Sequence, residues 1–292
     1  ERSVTPAAGV RHVHAAAIPP PPVQPLPALL PDAPSDAFLF GSSVEKQMTT
    51  TTTAMTFADL GLADEIVGVL SERGITAPFP VQELTIPDAL AGRDVCGKAR
   101  TGSGKTLAFG LPVLQRMQKA APNHPTGLVL VPTRELANQV EAEIQLTVPS
   151  MRTVCVYGGV AITNQERALR NGVDFVVGTP GRLIDLIQRG SLQLQDIEYC
   201  VLDEADQMLA VGFEEDVERI MQEIPEERQT FLFSATMPSW VKQLTRKYLK
   251  EHVNIDLVGD SKQKVADTID ILSCACSHQS RTMILADLVT VY

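Results

Sequence analysis

The stretch Ala99-Arg100-Thr101-Gly102-Ser103-Gly104-Lys105-Thr106 has the residue types and spacing that most directly imply chemistry. A short apolar run, Asp94-Val95-Cys96-Gly97, precedes it, and Leu107 to Leu114 follow with helical spacing, so the glycines fall in a strand-to-helix loop. Gly102 and Gly104 let the backbone curl and turn its N–H groups inward. The helix N-terminus adds partial positive charge, and together they form a cavity for polyphosphate. Lys105 is then placed for the β- and γ-phosphates and the Thr106 hydroxyl for Mg²⁺. The usual pattern has glycine where Ala99 stands, so this is a variant phosphate loop. Gly-Lys-Thr alone is a weak signal, and the strand–loop–helix setting is what gives it force.

Such a loop needs a scaffold, and the chain after it supplies one. Leu128–Val131, Thr153–Tyr157, Phe175–Val177, Tyr199–Leu202 and Thr230–Phe233 are short apolar runs, several followed by helical patterns, as at 134–146, 164–169 and 183–188. Continuous apolar strands between helices predict an α/β domain, a parallel sheet with helices on both faces, over about 57–258. Ligands of such sheets collect at the carboxyl ends of the strands. The residues there are Pro132-Thr133-Arg134, Gly158-Gly159, Gly178 to Arg182, Asp203-Glu204-Ala205-Asp206 and Ser234-Ala235-Thr236. After a buried strand, Asp203 is suited to bind Mg²⁺ through water and Glu204 to orient the water that attacks a γ-phosphate.

With Gln82, these motifs occur in the order that resembles the DEAD-box ATP-dependent RNA helicases of superfamily 2, which are built from two RecA-like domains. The resemblance covers about 57–240 and implies ATP and Mg²⁺ as cofactors. It implies that Gln82 bonds the adenine edge while Phe57 helps close that pocket. Ala99 to Thr106 take the phosphates, Lys105, Asp203 and Glu204 are catalytic, and Thr106 and Asp203 hold the metal. It further implies that Pro132, Thr133, Arg134, Gly159, Thr179, Pro180, Gly181 and Arg182 hold an RNA backbone irrespective of sequence, and that Asp206, Ser234, Ala235 and Thr236 couple the nucleotide site to domain closure. Taken singly, Arg134 or Arg182 reads as a surface ion-pair partner, Gln82 as a helix cap and Ser234-Ala235-Thr236 as an ordinary strand end. Two positions depart from the family's habit: Ile75 stands where phenylalanine is usual, and Arg100 where glutamine is commoner, as in bacterial or plastid members.

With 292 residues and a hydrophobic share of 44%, the chain has ample material for a core. A net charge of −10 argues against a protein that coats nucleic acid non-specifically, though not against a narrow basic track. No run approaches a membrane span. The five cysteines read as reduced core thiols, and Cys274-Ala275-Cys276 lacks the second pair a metal site would need. Residues 1–56 hold a proline run at 19–22 and a threonine run at 49–53 without periodicity, and are expected to be disordered. Up to Leu30 the segment has Glu1 as its one acid, beside Arg2 and Arg11, as in an organelle transit peptide. With the phosphate loop, this points to the chloroplast, the cytoplasm being the alternative.

Residues 259–292 are expected to be a linker and the truncated start of a second RecA-like domain, with a strand-like stretch at 265–276 and a helix from Arg281. As an amino-terminal part, the chain is expected to turn over ATP hardly at all alone. For the intact protein the resemblance implies local unwinding of RNA duplexes or ribonucleoprotein remodelling. An ATP-gated RNA clamp that does not unwind is the alternative. Ribosomal or intron RNA and ribonucleoprotein assembly factors are the expected partners.

Overall fold

Short strands alternating with helices build the whole of the sheet, and six of the seven come from largely apolar runs. The computed structural model describes residues 55–117, 120, 124–258 and 280–291, all in a compact unit, Thr52–Tyr292. The Pro/Thr-rich segment expected at 1–56, apart from its last two residues, and the linker with the stretch 265–276 lie outside the described residues. The strands are β1 (Val95–Lys98), β2 (Gly127–Leu130), β3 (Thr153–Val156), β4 (Phe175–Gly178), β5 (Tyr199–Leu202), β6 (Gln229–Ser234) and β7 (Val253–Asp256). The helices are α1 (Asp64–Glu72), α2 (Pro80–Leu90), α3 (Lys105–Arg116), α4 (Arg134–Thr147), α5 (Ile162–Arg170), α6 (Pro180–Gln188), α7 (Ala205–Ala210), α8 (Glu214–Glu223), α9 (Ser239–Tyr248) and α10 (Arg281–Val291).

All strand pairs are parallel, in the order β3-β4-β2-β5-β6-β1-β7. Alternate side chains bury into two layers. Leu128, Leu130, Val176, Cys200 and Leu232 join one layer with residues of α6, α8 and α9, including Trp240. Val129, Val177, Val201, Phe231 and Phe233 join the other with residues of α3 and α4. The parallel α/β sheet expected from the apolar runs is therefore present, with helices on both faces. Two strand glycines serve this packing. Gly97 pairs with Phe233 and Gly127 with Phe175, and a Cβ at either glycine would run into the partner's ring.

The first helix begins at Asp64. Thr56 and Asp59 hold each other in a turn, with Thr56 N–H on Asp59 Oδ2 at 2.9 Å, and Gly61 at φ +90° stops the helix from extending backward. The turn carries Phe57 and Leu60 onto Ile66, Leu70, Ile86 and Leu111, a small third cluster outside α2 and α3.

Candidate nucleotide site and basic groove

Because every strand runs the same way, all seven carboxyl ends share one edge, and the strand order sorts the loops along it. β6 lies between β1 and β5. The phosphate loop after β1 and the acidic turn after β5 are thus two strand spacings apart, about 10 Å. Gly102 and Gly104 sit at φ +80° and +89°, the left-handed region that only glycine adopts without strain. Lys105, at the first turn of α3, is 6% exposed, and its Nζ lies 3.4 Å from the Ala99 carbonyl oxygen and 3.8 Å from Asp203 Oδ1, whose residue is 2% exposed. Burial pushes the Asp203 carboxyl up to about 6, partly offset by Lys105, while Glu204 raises it further.

A cleft of about 630 Å³ opens here, bounded by Ile75, Phe79, Gln82, the loop residues Thr101, Gly102, Gly104, Lys105 and Thr106, and the carboxylates Asp203 and Glu204. Gln82 is buried on α2 and joins two elements: its Oε1 accepts from Phe79 N–H at 2.8 Å, and its Nε2 donates to the Gly104 carbonyl at 3.0 Å. It thus caps its own helix and braces the phosphate loop, and by valence keeps one N–H and one lone pair. Phe57 does not reach this cleft, since it is buried under α1. The aromatic ring at the cleft is Phe79, 56% exposed and not singled out by the sequence reasoning. Its signal was its place three residues before Gln82, just ahead of the first residue of α2.

The residues fit a magnesium nucleotide. Two positive-φ glycines shape the loop, a buried Ser103 hydroxyl in it has no partner among the described residues, and one cation faces one buried carboxylate. No cluster of three metal-ligating side chains occurs among the described residues. One carboxylate plus the Thr106 hydroxyl suits Mg²⁺, which keeps water and phosphate in its shell. Ala99 and Arg100 lead into the loop, with Ala99 buried and its N–H bonded to the Ser234 carbonyl.

From β6, the Ser234-Ala235-Thr236 turn reaches the acidic turn. Thr236 N–H and Oγ1 both donate to Asp206 Oδ2, at 3.0 and 2.8 Å, and Asp206 N–H donates to Ser234 Oγ at 3.2 Å. On the other half of the edge, after β2, β3 and β4, a groove of about 540 Å³ is bounded by Arg134, Tyr157, Gly158, Thr179, Gly181, Arg182, Asp185 and Phe213. Arg134 is exposed, its guanidinium 5.8 Å from the centre of the Tyr157 ring. Arg182 turns inward: NH1 donates to Gln165 Oε1 at 2.8 Å and NH2 to the Val160 carbonyl at 3.1 Å. Thr133 caps α4 by accepting from Leu136 N–H, Gly159 is exposed at φ +84°, and Pro132 and Pro180 are buried in the loop bases. Tyr157 and Phe213 are groove residues that the motif order did not reveal.

A parallel sheet with a phosphate loop after one strand and paired carboxylates two strands away defines a phosphate-loop nucleotide-binding domain, here with a second groove carrying arginines on the same edge. The sequence profile of the DEAD/DEAH box helicases matches residues 79–244, more than half of the chain, and the chain belongs to that family. Over 260 residues it is 52% identical to the DEAD-box ATP-dependent RNA helicase 3A, chloroplastic, of Zea mays, covering 87% of this chain and 35% of that protein. It is 52% identical over 240 residues to the DEAD-box ATP-dependent RNA helicase 9, mitochondrial, of Arabidopsis thaliana, covering 80% and 39%. A DEAD box protein of Methanococcus jannaschii has the same fold at TM-score 0.66 and 38% identity, covering 69% of this chain and 56% of that one. The chain thus spans little more than a third of the two plant relatives' length.

Proposed function

We propose that the protein of which this chain is part is an RNA-stimulated ATPase that separates short RNA duplexes or remodels ribonucleoprotein. The observation that carries the reading is the facing of Lys105 and Asp203 across a cleft that Glu204 and Gln82 also line. Relatives of over 50% identity named ATP-dependent RNA helicases support it.

In this reading the phosphate-loop amides and Lys105 bind the triphosphate, and Thr106 and Asp203 would hold Mg²⁺, which would supply neutralisation of phosphate charge. Glu204 orients the attacking water and takes up its proton at a carboxylate oxygen. Phe79 and Ile75 wall the base, and the remaining N–H and lone pair of Gln82 meet the adenine edge, which presents one donor and one acceptor. Arg134 and the exposed backbone at Gly158-Gly159 meet RNA phosphates, while Arg182 shapes the groove by holding the Val160 turn. Asp206, Ser234 and Thr236 link the cleft to closure of a second RecA-like domain, for which 259–292 form the linker and start. The chloroplast is the proposed location, on the names of the maize relatives and the acid-poor first thirty residues, and organellar ribosomal or intron RNA the proposed substrate.

The test is ATP hydrolysis by the full-length protein with no nucleic acid, with RNA, and with DNA of the same sequence. RNA alone should stimulate, and Lys105→Ala and Glu204→Gln should each abolish turnover, the second with nucleotide still bound. Equal stimulation by DNA, or turnover retained in Glu204→Gln, would remove the reading.

A further inference from the structure

Glu204 is the one functional side chain here that stands on strained backbone. It lies at φ 55°, ψ 50°, in the left-handed region that a residue with a Cβ rarely enters, just ahead of the short helix α7. Its backbone N–H is held by Asp203 Oδ1 at 2.9 Å, which fixes where the side chain leaves the chain but not where its carboxylate ends. Three rotatable bonds follow, and the residue is only half-buried. Among the described residues one group donates to that carboxylate: Thr101 Oγ1, 2.9 Å from Glu204 Oε1. Thr101 belongs to the phosphate loop, immediately before Gly102 at φ +80°.

We propose that Thr101 is a positioning residue for Glu204, its hydroxyl fixing the carboxylate relative to the phosphate loop so that water bound to one oxygen is aimed at the nucleotide seated in that loop. The inference rests on the assignment of Glu204 as the catalytic carboxylate. It follows from geometry: the bond spans exactly the two elements whose relative placement the reaction needs, and a carboxylate with two oxygens can accept from Thr101 at one and from water at the other. Threonine suits the position because its branched Cβ restricts the hydroxyl's rotamers more than serine's would be.

The experiment compares wild type, Thr101→Val, Thr101→Ser and Glu204→Gln in the full-length protein by RNA-stimulated ATP turnover, with ATP affinity measured separately by a fluorescent nucleotide. Valine keeps the shape and removes the donor. Thr101→Val should lower kcat about tenfold, the change that one hydrogen bond to a charged group supports, with KM and nucleotide affinity within about twofold. Thr101→Ser should recover most of the rate. Unchanged or raised kcat in Thr101→Val, serine as slow as valine, or a KM that rises in proportion would each overturn the inference. Where Glu204→Gln is dead and Thr101→Val is normal, this inference alone fails. Wild-type turnover that survives Glu204→Gln removes the site assignment and this inference with it.

Discussion

Replacing Gly104 with alanine should cost far more than the same change two residues earlier, and the difference isolates one contact. Both glycines have positive φ, +80° at Gly102 and +89° at Gly104, so each alanine bears a left-handed backbone penalty of about 1–2 kcal/mol. At Gly102 an added Cβ meets nothing within 4 Å. At Gly104 it meets Gln82 Nε2 and Phe79 Cδ2, each at 2.6 Å. Both are ends of side chains, and Phe79 is exposed enough to swing away, so the clash itself relaxes. Moving Gln82, however, gives up its bond to the Gly104 carbonyl and disturbs the one it accepts from Phe79 N–H, together about 1–2 kcal/mol. Gly104→Ala should therefore lose about 2–4 kcal/mol against about 1–2 for Gly102→Ala. Urea unfolding of this chain at constant m-value measures both, and the gap should appear as roughly 2–4 °C of Tm per kcal/mol. In a Gln82→Ala background the gap should close, since the bond is already gone. Equal losses for the two alanines in the wild-type background would refute the idea that Gln82 braces the loop.

Asp174→Asn should destabilise by about 1–3 kcal/mol, because the fully buried carboxylate accepts from Ala120 N–H at 2.7 Å and from Arg152 N–H and Nε at 2.9 and 3.0 Å, and asparagine keeps one acceptor oxygen but not the charge, while the half-exposed Arg152 guanidinium is still met by water; chemical denaturation reads it. Burial works against that carboxylate, yet its Arg152 bonds hold its pKa below 3.8, so its contribution is present above that value and lost as pH falls through the lower folded one; acid unfolding should shift to higher pH in the variant. Asp203 runs the opposite way. Its carboxyl is raised to about 6, so the cost of ionising it in the folded state builds as pH rises from 3.8 to about 6 and stays in full above that, and Mg²⁺-dependent nucleotide affinity should fall below about pH 6 and plateau above it, a step absent in Asp203→Asn. Gly97→Ala drives a methyl into Phe233 and should cost about 1–3 kcal/mol, with Phe233→Leu in the same chain recovering part of it in a thermal melt.

The sheet was legible because its strands are buried on both faces, so runs such as Leu128–Val131 and Phe175–Val177 are apolar without interruption. β7 was not, and for the converse reason. It is the last strand of the sheet, only Ile255 of its four residues is buried, and Val253-Asn254-Ile255-Asp256 carries too weak a pattern to separate from a loop. The order of motifs located the phosphate loop, the acidic turn and the groove, since each sits where a parallel strand ends. It put Phe57 at the adenine pocket, where the ring lining the cleft is Phe79, because which ring reaches the cleft depends on the Thr56–Asp59 turn that folds Phe57 inward. Nor could it show where the Arg182 guanidinium points: its partners Gln165 and Val160 lie 17 and 22 residues away along the chain, and only the packing of α5 beside α6's first turn joins them.

The position of β6 carries the last step. Lying between β1 and β5, it places Ser234 against both flanking turns: the Ala99 N–H donates to its carbonyl, and the Asp206 N–H to its hydroxyl. The hydroxyl in turn donates to the Thr236 carbonyl at 2.7 Å, while Thr236 grips Asp206 through two bonds. A short chain of hydrogen bonds therefore joins the base of the phosphate loop to the acidic turn through Ser234 and Thr236. Thr236 is exposed and Ala235 half-buried, so this turn lies at the surface of the sheet edge. The same order keeps the arginine groove on β2, β4 and β3, at the far side of β5 from the phosphate loop. Two elements border both the groove and the cleft side of this edge: the β5 turn, where Asp203, Glu204 and Asp206 stand between them, and α4, whose Arg134 lines the groove while its Leu136, Gln139 and Glu143 line the cleft.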